Sequence, residues 1–324
     1  MSCEYITLKY KTLDNYTYIE TDDNEYYYYY KPLKLFINKD KKVLCNSNYN
    51  AFETNKKYLN DISNYINSLN LDNDENFQEI ENIISIQNWF VTYGHFKDEI
   101  FNLCNFYELY NNKNYKVFMN YTGAYNINYS FDNYDKLKDI LFNDQNFINA
   151  ANFNCDVIKI KKLILITHTI IDSPMFHMFP QNVTNKIFSK INNVDIDFNK
   201  NVFITRGQAL HLPRNLANQS EIEEYFKNIN YNVINPEITE LELFINSIKN
   251  AENIYVTWGG AMVNLCYVNK NSNIFLLQSQ SYRNEDIFIT FKFLKNYNNL
   301  YMIRCDNDNK INMHNCIKTK ISPP

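Results

Sequence analysis

The sequence predicts an α/β protein whose C-terminal half is a doubly wound parallel sheet. Short apolar runs recur at regular spacing from about residue 196: NVFIT (201–205), YNVIN (231–235), NIYVT (253–257), NIFLLQ (273–278) and LYMIR (300–304). Stretches suited to helix lie between them, near 219–228, 239–251, 261–268 and 285–296. Strands separated by crossover helices pair in parallel and need cover on both faces. The residues best fitted to ligand chemistry stand just after these runs. That is the edge where a doubly wound sheet gathers the turns that feed its helices.

The first 85 residues are rich in Tyr, Asn and Asp and read as a mixed, loop-rich region with short strands such as YYYYYKPLKLFI and KKVLC. The tyrosine run 26–30 reads as strand rather than as an aromatic platform. Between Trp89 and Leu109, Phe96, Ile100, Leu103 and Tyr107 recur at helical spacing and mark a buried face. A strand (Lys116 to Met119), a helix near Tyr134 to Phe142 and the apolar run VIKIKKLILIT (157–167) follow. The segment NNVDIDFNK (192–200) is the best boundary, giving an N-terminal domain 1–195 and a C-terminal domain 196–324. The tail after Cys305 reads as polar and loosely held.

Composition narrows the function. With 324 residues, 45% hydrophobic and 21% charged, the chain can bury two ordinary cores. A net charge of -4 lacks the basic excess of a nucleic-acid binder. No apolar run is long enough for a transmembrane helix, and the opening MSCEYITLKYKTLDNYTYIE lacks the apolar core of a secretory signal. Seven scattered cysteines without a CxxC pair read as reduced thiols, so the expected location is cytoplasmic. The abundance of Asn, Lys, Ile and Tyr points to an AT-rich genome: a protist, a low-GC bacterium, or a large virus working in its host's cytoplasm. Against that background the five glycines and the four arginines (Arg206, Arg214, Arg283, Arg304) stand out.

Strand NIYVT runs directly into Trp258-Gly259-Gly260-Ala261 and, further on, Asn264. Paired glycines at a strand-to-helix turn offer backbone N–H groups to an anion, or simply supply the positive φ of a tight turn. Arg206 ends the strand NVFIT and Arg214 follows in the same loop. Guanidinium forks suit phosphate oxygens, though a surface ion pair is the plain alternative. Asn218 is placed to cap the next helix. Glu237, after YNVIN, can accept ribose hydroxyls or cap the helix that follows. In the N-terminal half, His95 and Glu99 are four residues apart and share a helix face. A carboxylate beside an imidazole raises its basicity, which suits a general base, while acidic residues in a first turn also have a purely structural use. His177, in SPMFHMFPQN, can contact an acceptor or pack. Three D-x-D triplets (72–74, 195–197 and 306–308) arise by chance in a chain this rich in Asp and Asn. No phosphate-binding P-loop, dinucleotide fingerprint or nucleophile elbow occurs.

The block VFITRGQALHLPRNLANQSEIEEYF, followed by YNVINPEI and AENIYVTWGGAMVNLCYV, resembles glycosyltransferase family 61. That family's signature is a strand ending in Arg, a second Arg shortly before an Asn, Pro-Glu after the next strand, and a strand leading to a small-residue turn with Asn five places on. The match carries donor binding to Arg206, Arg214, Asn218, Glu237, Gly259, Gly260, Ala261 and Asn264. The piece WFVTYGHFKDEIFNLCNFYELY is similar to the family's Gly-His-aromatic segment, making His95 and Glu99 the catalytic counterparts. The likeness spans roughly residues 85–280. Two departures stand within it. Trp258 occupies the place of a usual His and offers a face on which uracil or sugar can stack. Glu242-Leu243-Phe244 replaces a usual Glu-Gln pair.

The resemblance implies a GT-B architecture of two Rossmann-like domains facing a cleft, and an inverting transfer with no cofactor or bound metal. The implied partners are a UDP-sugar donor and a hydroxyl acceptor on a glycan, a protein or a small molecule. Two other readings stay open. The chain can be a sugar-nucleotide or glycan-binding protein that has lost catalysis, or a structural protein that keeps only the fold. Stabilisation by UDP without turnover selects the first; no response to any nucleotide selects the second.

Overall fold

The computed structural model describes residues 5–6, 10–14, 16–21, 25–33, 35–44, 64, 66–71, 77–86, 93–120, 131–167, 179–193, 199–205, 216–236, 238–278 and 292–322. Two units divide the chain. Residues 1–91, 102–122 and 142–176 form the first, and 92–101, 123–141 and 177–324 form the second. The division is thus interleaved, where the sequence suggested a single cut at 195/196.

The first unit is built on a ten-stranded sheet. Its strands are β1 (Tyr5–Ile6), β2 (Tyr10–Leu13), β3 (Tyr16–Glu20), β4 (Tyr27–Tyr30), β5 (Leu35–Asn38), β6 (Val43–Leu44), β7 (Gln78–Ile86), β8 (Lys116–Met119), β9 (Phe147–Asn149) and β10 (Val157–Thr167). The order is β1-β6-β5-β4-β10-β7-β8-β9, with the β2–β3 pair joined to β10. β10 pairs in parallel with β7 and antiparallel with β3 and β4. β10, β7, β8 and β9 run parallel, as do β1 and β6, while β3, β4 and β5 pair antiparallel, so this sheet is mixed rather than doubly wound. The continuous apolar stretches of β7 and β10 follow from burial of both faces at the sheet centre. The tyrosine run obeys a period of two: Tyr27 and Tyr29 enter one apolar cluster with Phe36 and Phe118, while Tyr28 and Tyr30 enter another with Leu35 and Ile37. These rings are core.

Helix α1 (Tyr93–Tyr110) gives its residues through Phe101 to the second unit and the rest to the first. It ends on Asn111 at φ 50°, whose N–H reaches Tyr107 O at 3.1 Å. Asparagine is the non-glycine residue most at ease there.

The second unit contains α2 (Phe131–Leu141), α3 (Gln181–Lys190), β11 (Asn201–Ile204), α4 (Gln219–Asn228), β12 (Asn232–Ile234), α5 (Leu241–Lys249), β13 (Asn253–Thr257), β14 (Asn273–Gln278), β15 (Asn299–Arg304) and β16 (Lys318–Ile321). The sheet order is β12-β11-β13-β14-β15-β16, parallel throughout except for β16. The five parallel strands coincide with the five apolar runs. Phe203, Tyr255, Leu277 and Ile303 share one face, packed under Ile222 and Phe226 of α4. The alternate residues Ile204, Ile254, Leu276 and Met302 are equally buried.

Three features depart from expectation. The stretch 261–268 forms a 3-10 helix, Gly260–Tyr267, instead of an α-helix. The tail after Cys305 is held: β16 pairs with β15, and Ile311 and Met313 are buried in the α4 cluster. Finally, α2 belongs to the C-terminal sheet. Asn133 donates to Thr239 O and accepts from Leu241 N, each at 2.9 Å, so one side chain closes the turn ahead of α5.

Candidate functional site

Because β11 connects outward to β12 and the chain then returns past β11 to β13, the strand order reverses between β11 and β13. Ligands bind doubly wound sheets outside the carboxyl ends of the strands at such a switch point. The residues that follow the two strands at this point are Thr205 and Trp258.

On the β11 side, Thr205 donates through its N–H to Ile234 O at 2.9 Å, and its hydroxyl donates to Glu223. Gln219 Nε2 donates to the same hydroxyl at 2.8 Å. The start of α4 is thereby tied to the end of the strand. Arg206 follows Thr205 at once and Arg214 precedes Leu216 by two positions; both arginines lie outside the described residues, as does Glu237. Asn218 is committed to the tail: Nδ2 donates to Ile311 O and Oδ1 accepts from Ile311 N, each at 3.1 Å. Its amide therefore braces the loop after β15, where the resemblance had it at the donor. Ala217 N–H adds a bond to Asn309 O at 2.9 Å. A cavity of about 410 Å³ lies against this brace, lined by Asn218, Glu221, Tyr225, Lys310 and His314. A second, of about 500 Å³, lies among residues such as Lys249, Asn271 and Asn298 that precede the strands, at the opposite edge.

On the β13 side the chain turns at Gly259, with φ 112° and ψ -143°. Elsewhere in the described residues Asp14, Lys41, Asn111, Asn230 and Asn309 take positive φ between 50° and 62°. That left-handed well tolerates Asn and Asp. The conformation of Gly259 lies outside it and is essentially restricted to glycine. At Gly260 an added Cβ would meet no atom of the described residues within 4 Å, so their packing does not require a bare backbone there. The amides of Gly260 and Ala261 precede the first bond of the 3-10 segment, which Met262 N–H makes to Gly259 O at 2.9 Å. Such leading N–H groups are the ones a helix leaves for capping groups or ligands.

Trp258 is only 1% exposed. Its ring is enclosed by protein, which corrects the expectation of a stacking face for uracil or sugar: the residue two places before Gly260 is part of the core. Asn264 is also fully buried. Its Oδ1 accepts from Lys97 Nζ at 2.9 Å and its Nδ2 donates to Ala261 O at 3.0 Å. Both ends of the amide are in use, so Asn264 shapes the turn from behind.

Lys97 is the residue that sequence reasoning missed. It sits on α1, has no exposed surface, and its ammonium lies 3.8 Å from the centroid of the Tyr267 ring. Burial holds its pKa down to about 8, opposed by the neighbouring Cys266. A signal was available: Lys97, Phe101 and Cys104 recur at i, i+4 and i+7, which puts a lysine in an apolar stripe. Glu99 is likewise buried on α1, and the His95 side chain lies outside the described residues. His177 and the triplets 72–74 and 195–197 also fall outside them. In the third triplet, Asp306 Oδ1 accepts from the backbone of Asp308 and Lys310, at 3.1 and 2.9 Å, which makes it a turn. Among the described residues no group of three or more His, Cys, Asp or Glu is placed to hold a metal ion, and no helix is long and apolar enough to cross a membrane.

The family model described as Glycosyltransferase 61 matches residues 93–275. The matched span begins with α1 and ends within β14, so it takes in α1, α2 and the strand ends on both sides of the switch point. No curated protein matches the chain significantly.

Proposed function

The chain belongs to glycosyltransferase family 61 and is a glycosyltransferase; we propose that it moves a sugar, with inversion and without a metal ion, from a UDP-linked donor to a hydroxyl acceptor. The observation that carries the proposal is the bend at Gly259, whose glycine-only conformation turns the chain into Gly260, where a Cβ would meet no atom of the described residues within 4 Å. A diphosphate can approach the backbone there and accept from the leading amides of the 3-10 segment.

In this reading the acceptor oxygen attacks the anomeric carbon as the bond from that carbon to the diphosphate oxygen breaks. His95, on α1 and oriented by Glu99, takes the hydroxyl proton. Negative charge gathers on the departing diphosphate. Arg206 and Arg214, which follow β11 in the sequence, and the amides of Gly260 and Ala261 neutralise it as preorganised charge, the part a metal ion plays in other transferases. Glu237 takes the ribose hydroxyls. The GT-B class of fold that the resemblance implies is part of the proposal.

Donor hydrolysis and transfer, assayed across nucleotide sugars with and without chelator, test it. Arg206→Ala is expected to lower the rate by about 10²–10³-fold, on the scale of removing one charge-stabilising donor, and chelator is expected to leave it unchanged. Undiminished activity in Arg206→Ala, or loss with chelator, contradicts the mechanism. The buried Trp258 in the place of the family's usual His favours one other reading, a donor-binding protein without catalysis. Stabilisation by UDP with no turnover of any donor selects it.

A further inference from the structure

We propose that Lys97 is a positioning residue for donor binding, a buried cation that sets the orientation of Asn264, holds the Gly260–Tyr267 segment in 3-10 form, and lends that segment positive charge toward the diphosphate. The inference rests on the nucleotide-donor reading above and goes beyond it by assigning a residue outside the family signature.

The geometry runs through one hydrogen-bond chain. An ammonium only donates, so Lys97 Nζ at 2.9 Å obliges Asn264 to present its oxygen. The amide nitrogen then faces Ala261 O, at 3.0 Å. In an α-helix that carbonyl would accept from residue 265. With Asn264 already bonded to it, the segment keeps the shorter i to i+3 pattern seen from Met262 to Gly259 and from Val268 to Leu265. A 3-10 run of eight residues is unusually long and calls for such external support. Lys97 is fully enclosed, and the Tyr267 ring face supplies a second contact to the cation. Methionine of similar length would fill the same space without desolvating a charge, so packing alone does not explain a lysine.

Ligand charge separates the electrostatic role from packing. Among UDP, GDP, CDP and ADP, the tightest-binding diphosphate and its parent nucleoside are titrated against wild type, Lys97→Met and Lys97→Arg. Lys97→Met is expected to lose about tenfold in diphosphate affinity and less than about twofold for the nucleoside. Lys97→Arg is expected to restore most of the difference. Equal losses for both ligands, or none, overturn the inference while leaving the donor reading intact. Wild type that binds none of the four diphosphates removes the donor reading and this inference with it. Should Lys97→Met fail to fold, the wild-type pH profile decides. Raising pH from 7 to about 9.5 discharges the lysine, and the preference for diphosphate over nucleoside is expected to fall. Among the described residues, Cys266, Tyr267 and Tyr297 are titratable groups gathered there. Burial raises the Tyr297 hydroxyl far above this window, and Cys266→Ser tests the thiol. A flat profile, or one abolished by Cys266→Ser, overturns the assignment; a decline retained in Cys266→Ser supports it.

Discussion

The two sheets are filled with the same kinds of apolar residue but direct their strand ends differently. In the second unit, β11 to β15 run parallel, so Ile204, Ile234, Thr257, Gln278 and Arg304 all close strands at one edge. In the first, β3 and β4 oppose β10, and their turns are divided between two edges. A shared direction concentrates turns, helix starts and their exposed amides in one place, and the second unit carries the glycine bend and the buried lysine behind it. The first carries aromatic packing instead, such as Tyr29 against Phe36 and Phe118 with ring centroids 4.8 and 4.9 Å apart.

The largest test of that contrast lies in the first unit. Phe118→Ala removes a fully buried ring and is expected to cost about 3–5 kcal/mol in chemical denaturation, with UDP affinity of the folded fraction unchanged. An affinity that falls alongside stability breaks the division of labour. Next is Gly259→Ala, which forces a Cβ into a glycine-only conformation at a cost of about 1–3 kcal/mol and is expected to weaken UDP binding in isothermal titration. Unaltered binding would remove the bend from the site.

The buried lysine gives a pH-dependent test of about 2 kcal/mol. Its folded pKa, near 8, lies below the ordinary 10.5. Between those values the unfolded chain holds a proton that the folded chain has released, so wild-type stability rises with pH. Below about pH 8 both states are protonated and the folded state carries the full burial penalty. Denaturation at pH 7 and pH 9.5 is therefore expected to show wild type gaining about 2 kcal/mol relative to Lys97→Met; parallel curves would place the ammonium in solvent. The smallest effect is expected from Asn218→Ala, which releases the tail after β15 at about 1 kcal/mol and is read as faster proteolysis near Ile311. A change in UDP affinity as large as that of Gly259→Ala would return Asn218 to the donor.

Much of this was written in the sequence. Apolar alternation and strand length located β11 to β15, because a strand buried on both faces leaves little choice of residue. Among the described residues, scarce glycine marked a bend at Gly259 that asparagine could not make. Other features depended on contacts that no local pattern encodes. The side chain of Asn133, more than a hundred positions upstream, completes the turn before α5, and Asn218 is drawn to the tail because Ile311 folds back over α4. Trp258 read as a stacking face until its burial showed a core residue. The stripe Lys97, Phe101 and Cys104 sets a lysine on an apolar helix face, but nothing in it fixes how completely the ammonium is enclosed. Only the approach of α1 to the segment after β13 removes that ammonium from water, since desolvation is a property of everything packed around a group and not of its neighbours in the chain.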